Sequence, residues 1–368
     1  MESLNGKRVL IALHRYSIGG AETQALYLAK GLKKRGAYVI VIAFSPGSKE
    51  GKDRFLNENL FCLDFGFSEK IILDSKMSFL SSLRKYRYLI KAILKIKKLD
   101  ADAVVPFTYL PNVFFGLYSK LMGVHKCFWN QRDEGRLFLG SKKEIKALNN
   151  CQAIISNSIE GKQFLESFTS TPIVHISNGL DLRKWRKVNL NSLSDNVIMI
   201  GNIHGYKDHK TLIEAWALVS KRFPNKKLLL AGKKGNKYQE VKELIDKLEL
   251  EDNIKILGVV DDVEALLSDC CLAVFSSENE GVPNGVLEPM ACALPVVSTD
   301  IKGSREALGS EYPYLVKAGD AIALSSDIIS LLSNPNVSKR IGQLNRSRVG
   351  KFYSMDKMID QFESQIKW

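Results

Sequence analysis

Apolar residues in this chain come in short unbroken runs, separated by longer stretches where they recur every three or four positions. The runs RVLIALH (8–14) and YVIVIAF (38–44) show no polar alternation, the pattern of parallel strands buried on both faces. Between them Ala25, Leu28, Ala29 and Leu32 share one helical face, which predicts a helix over 22–36 that stops at Gly36. Further strands are expected at 103–107, 126–130 and 153–158. The second half repeats the rhythm, with strands at 196–203, 227–232, 253–258, 271–277 and 295–299. Helices are expected at about 209–222, 237–249, 262–268 and after Asn284. Strands alternating with helices in both halves predict two α/β units, each on a parallel sheet. The polar stretch 177–196 has no clear period and reads as a linker. The domain spans are therefore 1–178 and 179–350, with a closing helix at 351–368 expected to return to the first domain. A ligand between two such domains meets loops at the carboxyl ends of both sheets.

Length and composition narrow the class. A chain of 368 residues, 45% hydrophobic and 25% charged, fits a soluble globular protein of two domains. Its first residues run into a strand and lack a secretory signal pattern. Six scattered cysteines show no CxxC pair and no zinc spacing, so reduced thiols in a cytoplasmic protein are expected. Charge is uneven: residues 1–180 hold 27 Lys and Arg against 15 Asp and Glu, whereas 181–368 hold 26 against 25. An excess confined to one half points to a polyanionic surface near it.

The stretch ENEGVPNGVLEPMACALPVVSTD (278–300) carries two carboxylates, Glu280 and Glu288, with seven residues between them. Asn284 is expected to cap a helix whose first N–H groups, on Gly285, Val286 and Leu287, stay unpaired and favour an anion. Helical side chains lean towards the N-terminus, so Glu288 can reach something held at that mouth. A carboxylate accepts from two hydroxyls at once, as a sugar diol offers. Read without context, both glutamates could equally serve to stabilise the helix dipole. Lys207, between a strand and a helix, sits where a phosphate-binding cation belongs, though a solvated loop lysine fits the same position. No GxGxxG fingerprint is present, which argues against a dehydrogenase.

EGVPNGVLEPMACALPVVSTD closely resembles the Glu–seven residues–Glu signature of the retaining, nucleotide-sugar-dependent glycosyltransferases of family four. The likeness extends along the chain: GGAE (19–22) is similar to that family's first glycine loop, ISNGLDLRKW (176–185) to its interdomain segment, and IGNIHGYKDHKTLIEAW (200–216) to its strand–loop–helix. The resemblance implies a GT-B fold, two Rossmann-like domains facing a central cleft, with acceptor bound by the first and nucleotide-sugar by the second. It implies that Glu288 holds the ribose hydroxyls of a UDP- or GDP-sugar and that Glu280 touches the donor sugar. Gly281, Val282, Pro283 and Asn284 would cradle hydroxyls, and Lys207 would bind the diphosphate, with Gly20 and Asn202 lining the donor site. The family's usual arginine is replaced by Asn202, leaving His204, Arg15 or Lys233 as substitutes. The family prefers glycine where Leu294 stands. In CFWNQRDEG (127–135) the acceptor-side histidine is missing and Arg132 is the candidate, against a surface arginine paired with Asp133 or Glu134. His125, His175 and His209 read as structural or exposed. The resemblance makes Glu280, Lys207 and Arg132 the catalytic candidates. No cofactor or metal is expected, since the one DxD match, Asp100–Asp102, precedes a strand.

Residues 79–98 form a basic amphipathic helix, with Leu83, Tyr86, Ile90, Ile93 and Leu94 as an apolar stripe and Arg84, Lys85, Arg87, Lys91, Lys95, Lys97 and Lys98 as charges. Such a helix suits an anionic membrane surface; alternatively its stripe packs on the sheet. No stretch is a convincing transmembrane span, and 103–119 is broken by Pro106 and Pro111. The expected location is peripheral, on the cytoplasmic face of the inner membrane, where a lipid-linked glycan in cell-surface polysaccharide synthesis is the expected acceptor. A non-catalytic partner that binds nucleotide-sugar or glycan and scaffolds another transferase is the alternative. Nucleic-acid binding is not expected, because no recognisable module accompanies the charge.

Overall fold

The unbroken apolar runs form two separate parallel sheets. The computed structural model describes residues 4–66, 79–132, 135, 137–188 and 196–365, with 79–85 and 365 as backbone alone. It divides into two units: 1–179 with 355–368, and 180–354. The masses of apolar side chains within each are distinct cores.

In the first unit the strands are β1 (Arg8–Tyr16), β2 (Tyr38–Gly47), β3 (Phe61–Asp64), β4 (Ala103–Pro106), β5 (Lys126–Gln131), β6 (Ala153–Ser156) and β7 (Ile173–His175). Their order is β3-β2-β1-β4-β5-β6-β7. The connecting helices are α1 (Gly20–Lys34), α2 (Lys49–Leu56), α3 (Phe79–Lys97), α4 (Tyr109–Tyr118), α5 (Lys142–Asn150) and α6 (Ile159–Glu166). β1 lies at the centre, in register with β2 from Arg8 opposite Tyr38 and with β4 from Val9 opposite Ala103. Between β1 and β4 the strand order reverses direction, which leaves a crevice at the carboxyl edge.

The second unit has β8 (Asn196–Ile200), β9 (Lys227–Ala231), β10 (Ile254–Gly258), β11 (Leu272–Phe275), β12 (Val296–Thr299) and β13 (Leu315–Val316), in the order β10-β9-β8-β11-β12-β13. Its helices are α7 (His209–Arg222), α8 (Tyr238–Lys247), α9 (Val263–Ser268), α10 (Asn284–Ala291), α11 (Lys302–Leu308), α12 (Ala321–Ser333) and α13 (Pro335–Phe352). Here the reversal falls between β8 and β11. The last helix, α14 (Met355–Gln365), packs on α1 in the first unit. Gly31 makes that approach possible, since a Cβ there would lie 2.3 Å from the Ile359 side chain. Arg35 then bridges Asp360 at 2.5 Å and Glu363 at 2.9 Å.

Two expectations change. The stripe on α3 does not pack as one face. Ala92 and Ile96 are buried, Leu89 and Ile93 pack against the core, and Tyr86, Ile90 and Leu94 are exposed at 63%, 56% and 53%. Residues i, i+4 and i+8 on the solvent side form a second apolar line, which a single stripe in the sequence had merged with the first. The side chains of Leu83, Arg84 and Lys85 lie outside the described residues, as do 189–195 of the expected linker, 366–368 of the closing helix, and Asp133 and Glu134. Second, in the turn before β12, where the resemblance prefers glycine at Leu294, the left-handed residue is Ala293 (φ +63°) and Leu294 is fully buried. Among the described residues no helix is long and apolar enough to cross a membrane.

That turn is clamped by α13, where a Cβ on Gly342 would lie 1.9 Å from the Ala293 carbonyl oxygen. A backbone oxygen cannot rotate away as a side chain can. Gly342→Ala is expected to destabilise the second unit by about 2–3 kcal/mol, read as a lowered urea midpoint; an unchanged midpoint would show that the contact is soft.

Candidate active site

The reversal between β8 and β11 puts two loops side by side: the one after β8 carries Lys207 and the one after β11 carries Glu280. Glu278 N–H donates to the Tyr206 carbonyl at 2.9 Å, and Ser276 Oγ donates to the carbonyls of Lys207 and Asp208, both at 3.0 Å. With the two backbones tied together, the Lys207 ammonium meets the Glu280 carboxylate at 2.6 Å, their side chains 12% and 19% exposed. The contact is an ion pair by distance but lacks the angles of a directed hydrogen bond, so that Glu280 oxygen counts as unbonded. The Lys207 chain runs across Gly201, where a Cβ would lie 3.4 Å from its Cδ, and its ammonium stands 5.0 Å from the Phe275 ring centroid.

Glycines set the spacing of the Glu280 loop. A Cβ on Gly303, at the start of α11, would be 1.9 Å from the Gly281 carbonyl and 2.5 Å from that of Glu280. One on Gly285 would be 2.5 Å from the Ile200 carbonyl, so the first turn of α10 rests directly on the end of β8. The expected cap is corrected. Pro283, in extended conformation, is the residue before the helix, and its carbonyl accepts from Val286 and Leu287 N–H, both at 3.1 Å. Pro283 lacks a capping side chain, and its carbonyl takes two of the three donors that Asn284 was expected to leave open; Gly285 N–H is the third. Gly281, Val282 and Pro283 are buried, and Asn284 and Glu288 are half-buried. Glu288 lies one turn into α10.

Asn202 supplies no charge. Its Oδ1 accepts from the Lys233 backbone N–H at 2.9 Å and so fixes the β9–α8 loop beside the β8–α7 loop. Of the possible substitutes for the missing arginine, His204 contacts Asn236 at 3.1 Å through Nδ1, and Arg15 belongs to the other unit. Lys233 is exposed, and its ammonium has no partner among the described residues; its neighbours Lys234 and Lys237 are held by the Tyr238 ring and by Glu240. Gly20 and Arg132 belong to the first unit. Gly20 opens α1, whose first turn already holds an acid, Glu22, bonded by Ser17 Oγ at 2.9 Å. Arg132 donates to Asn178 Oδ1 and stacks on Phe107, 5.4 Å from its centroid. Gly201, Gly303 and Ser276, and the close approach of Gly285 to the end of β8, escaped sequence reasoning, because what they do depends on which backbone lies opposite. Among the described residues no group of three or more His, Cys, Asp or Glu is placed to hold a metal ion.

Comparison with known proteins bears on this site. Two family models match the chain: Glycosyltransferase Family 4 over residues 18–184 and Glycosyl transferases group 1 over 183–348. An uncharacterized glycosyltransferase of Haemophilus influenzae is 23% identical over 354 residues, covering 94% of this chain and 96% of that protein. The putative glycosyltransferase EpsD of Bacillus subtilis is 33% identical over 164 residues, 44% of this chain and 43% of its own length. Among solved structures, HepE of Anabaena in complex with UDP-glucose superposes with a TM-score of 0.82 at 18% identity, over 98% of this chain and 99% of that one. Together with the two parallel-sheet units, these likenesses make the fold GT-B.

His209, at the first position of α7, is buried, and neither ring nitrogen makes a directed hydrogen bond. Burial, with the Lys207 charge beside it, pushes its pKa down from 6.5 to about 4. Between those values the unfolded chain takes up a proton that the folded one refuses, so stability is lost as pH falls through this window and is complete above it. The pH dependence of unfolding between pH 7 and 4 should flatten in His209→Gln by up to about 3 kcal/mol; parallel curves for the two proteins would refute a neutral His209.

Proposed function

The chain belongs to the family 4-like glycosyltransferases of GT-B fold, and on that footing we propose that it moves a sugar, with retention at the anomeric carbon, from a UDP- or GDP-sugar to a lipid-linked glycan. The observation that carries this reading is the Lys207–Glu280 pair at 2.6 Å, set between the β8 and β11 loops at the N-terminus of α10. A diphosphate arriving there takes over Lys207, and Glu280 is released to the hydroxyls of the donor sugar. Glu288 accepts from the ribose diol. Lys233 supplies the second cation that Asn202 lacks. UDP and UDP-glucose are the ligands named for HepE, which supports a nucleotide-sugar in the same place.

In the proposed reaction the acceptor hydroxyl attacks the anomeric carbon on the face the diphosphate leaves. The bond from that carbon to the phosphate oxygen breaks, and the departing oxygen takes the acceptor's proton. Lys207 and the dipole of α10 stabilise the charge that develops on the leaving group, and no metal or cofactor is needed. Arg132 serves the acceptor side.

The membrane is the proposed partner of the first unit. Tyr86, Ile90 and Leu94 on α3 are exposed in a line flanked by Arg87, Lys91, Lys95 and Lys98, all exposed. Four such charges near anionic lipid contribute roughly 4 kcal/mol. This suits a peripheral enzyme on the cytoplasmic face that builds cell-surface polysaccharide. The second reading, a non-catalytic partner that binds nucleotide-sugar or glycan and scaffolds another transferase, draws on Asn202 acting as a bracket and not as a cation. Nucleotide release from a donor in the presence of membrane extract separates the two.

Calorimetry should show Glu288→Ala weakening UDP-sugar or GDP-sugar binding by about tenfold or more, the value of one charge-assisted bond; equal affinity would remove Glu288 from the donor site. In liposome co-sedimentation, changing Lys91, Lys95, Lys97 and Lys98 together to glutamine should release the protein from anionic vesicles, and undiminished pelleting would assign α3 to folding alone.

A further inference from the structure

Parallel sheets are ordinarily covered on both faces, and the first unit leaves one corner of its sheet bare. Residues in register across parallel strands share a face, as do residues two apart on one strand. Arg8 stands opposite Tyr38, and Ile40 opposite Phe61. All of them therefore point to the face on which Ile40 shares a core with Ala92 and Ile96 of α3. The helix ends at Lys97, and only Lys98 and Leu99 follow before the chain turns at Asp100 (φ +48°). Ile40, against the helix, is 3% exposed, whereas its neighbours Tyr38 and Phe61 are 52% and 50% exposed. The bare corner is a groove of about 450 Å³ whose walls include Arg8, Tyr38, Ile40, Phe61, Lys98 and Leu99, a volume within the range of small-ligand sites.

Its chemistry is of two kinds. Tyr38, Ile40, Phe61 and Leu99 form an apolar wall, and Arg8 and Lys98 supply cations. The Lys98 ammonium is exposed and has no partner among the described residues. Arg8 bridges Asp100 at 3.3 Å with both side chains exposed, a kind of pair that is worth little and is readily exchanged. The carbonyl end of a helix by itself disfavours an anion, but Lys95 and Lys97 in the last turn of α3, with Lys98 after them, set three full charges against that half-charge. Lys98 also stands one turn beyond Leu94, at the end of the exposed line of Tyr86, Ile90 and Leu94. The groove thus continues the surface through which α3 is proposed to meet the membrane.

We infer that the groove seats one anionic phospholipid, its phosphate held between Arg8 and Lys98 and the first carbons of its acyl chains laid against Tyr38, Phe61 and Leu99. The inference rests on the proposed membrane partnership of the first unit and names the molecule that anchors it. A bare phosphate would satisfy the cations and leave the apolar wall wet, and a neutral chain would do the reverse; an anionic lipid meets both. The groove lies at the amino edge of its sheet, whereas Arg132 follows β5 at the carboxyl edge, so the seat serves attachment and is separate from transfer.

Saturation-transfer NMR on the full chain tests this with dihexanoylphosphatidylglycerol below its micelle concentration, where the lipid is monomeric and the charge of a bilayer plays no part. Dihexanoylphosphatidylcholine and inorganic phosphate are the comparison ligands. Phosphatidylglycerol should receive saturation along its first acyl carbons, phosphatidylcholine several times less, and equimolar phosphate should not displace the lipid. Arg8→Gln should weaken lipid binding by about tenfold, the worth of one charge-assisted bond. Tyr38→Ser should act in the same direction, and both variants should melt as the wild type does, since both side chains face solvent. A protein with Lys91→Gln and Lys95→Gln, which lie outside the groove, should pellet less with phosphatidylglycerol vesicles yet keep the monomeric lipid, so failure of the charged helix and failure of the seat are read separately. No saturation of phosphatidylglycerol, equal saturation of phosphatidylcholine, displacement by equimolar phosphate, or wild-type binding in both groove variants would overturn the proposal. So would a dimer that Tyr38→Ser dissociates in sedimentation velocity, which assigns the groove to a second copy of the chain.

Discussion

An ammonium and a carboxylate held 2.6 Å apart, each largely withdrawn from water, set the terms for the rest of the second unit. Withdrawing either charge alone is expensive; together they offset much of each other's desolvation, provided the geometry is kept. Here the backbone keeps it. The strand-order reversal between β8 and β11 brings the loops together, Ser276 and Glu278 tie them, and Gly303 and Gly285 let neighbouring backbones close to distances no Cβ permits. The pair is therefore a consequence of the parallel sheet's topology more than of local sequence. It also means that a ligand meets a site whose main cation already has a partner. Donor binding under the proposed function is an exchange of partners, not the filling of an open charge.

The same topology recurs in the first unit with different residues, and the contrast separates the two halves. Where the second unit places Lys207 and Glu280 at its reversal point, the first places a strained threonine and a run of asparagines. Among the described residues, α3 carries its charge outward, whereas Thr108, Asn130 and Asn157 at the strand ends are neutral and Arg132 is bonded to Asn178.

Much of the fold was legible in the sequence because buried parallel strands and amphipathic helices are local patterns. The helix expected at about 209–222 is α7 at His209–Arg222, and the runs at 8–14 and 38–44 lie inside β1 and β2. Short or marginal elements were not legible. β3 has only four residues with no buried one among them, and β13 has two. On α3 the sequence could not tell the packed line from the exposed one, since both repeat every three to four residues and only the neighbouring core decides. At the site, Glu280, Glu288 and Lys207 stand out as charged residues in apolar surroundings, whereas Pro283 in place of Asn284 before α10, and Asn202 as a bracket for Lys233, depend on backbone geometry. Asn130 and Thr108 drew no attention because polar residues next to strands read as loop chemistry until their partners are counted.

The charges of the proposed donor site bear on how it selects its ligand. Lys207 is balanced by Glu280, Glu288 adds a second negative charge, and the N-terminus of α10 returns roughly half a positive one. A nucleoside diphosphate carries more negative charge than that balance can absorb, so attraction by net charge cannot account for affinity even with Lys233 included. What remains is the direct bonding of hydroxyls: a ribose diol to Glu288 and a hexose to Glu280 once Lys207 has been taken over. Carboxylates that would repel a bare diphosphate become favourable when the diphosphate carries sugars on both ends, because each then accepts hydrogen bonds that water made before. Under the proposed function the two glutamates thus act against simple phosphates and for nucleotide-sugars, and the seven residues between them along the chain, spanning loop and first helical turn, set which ends of the ligand they grip at the same time.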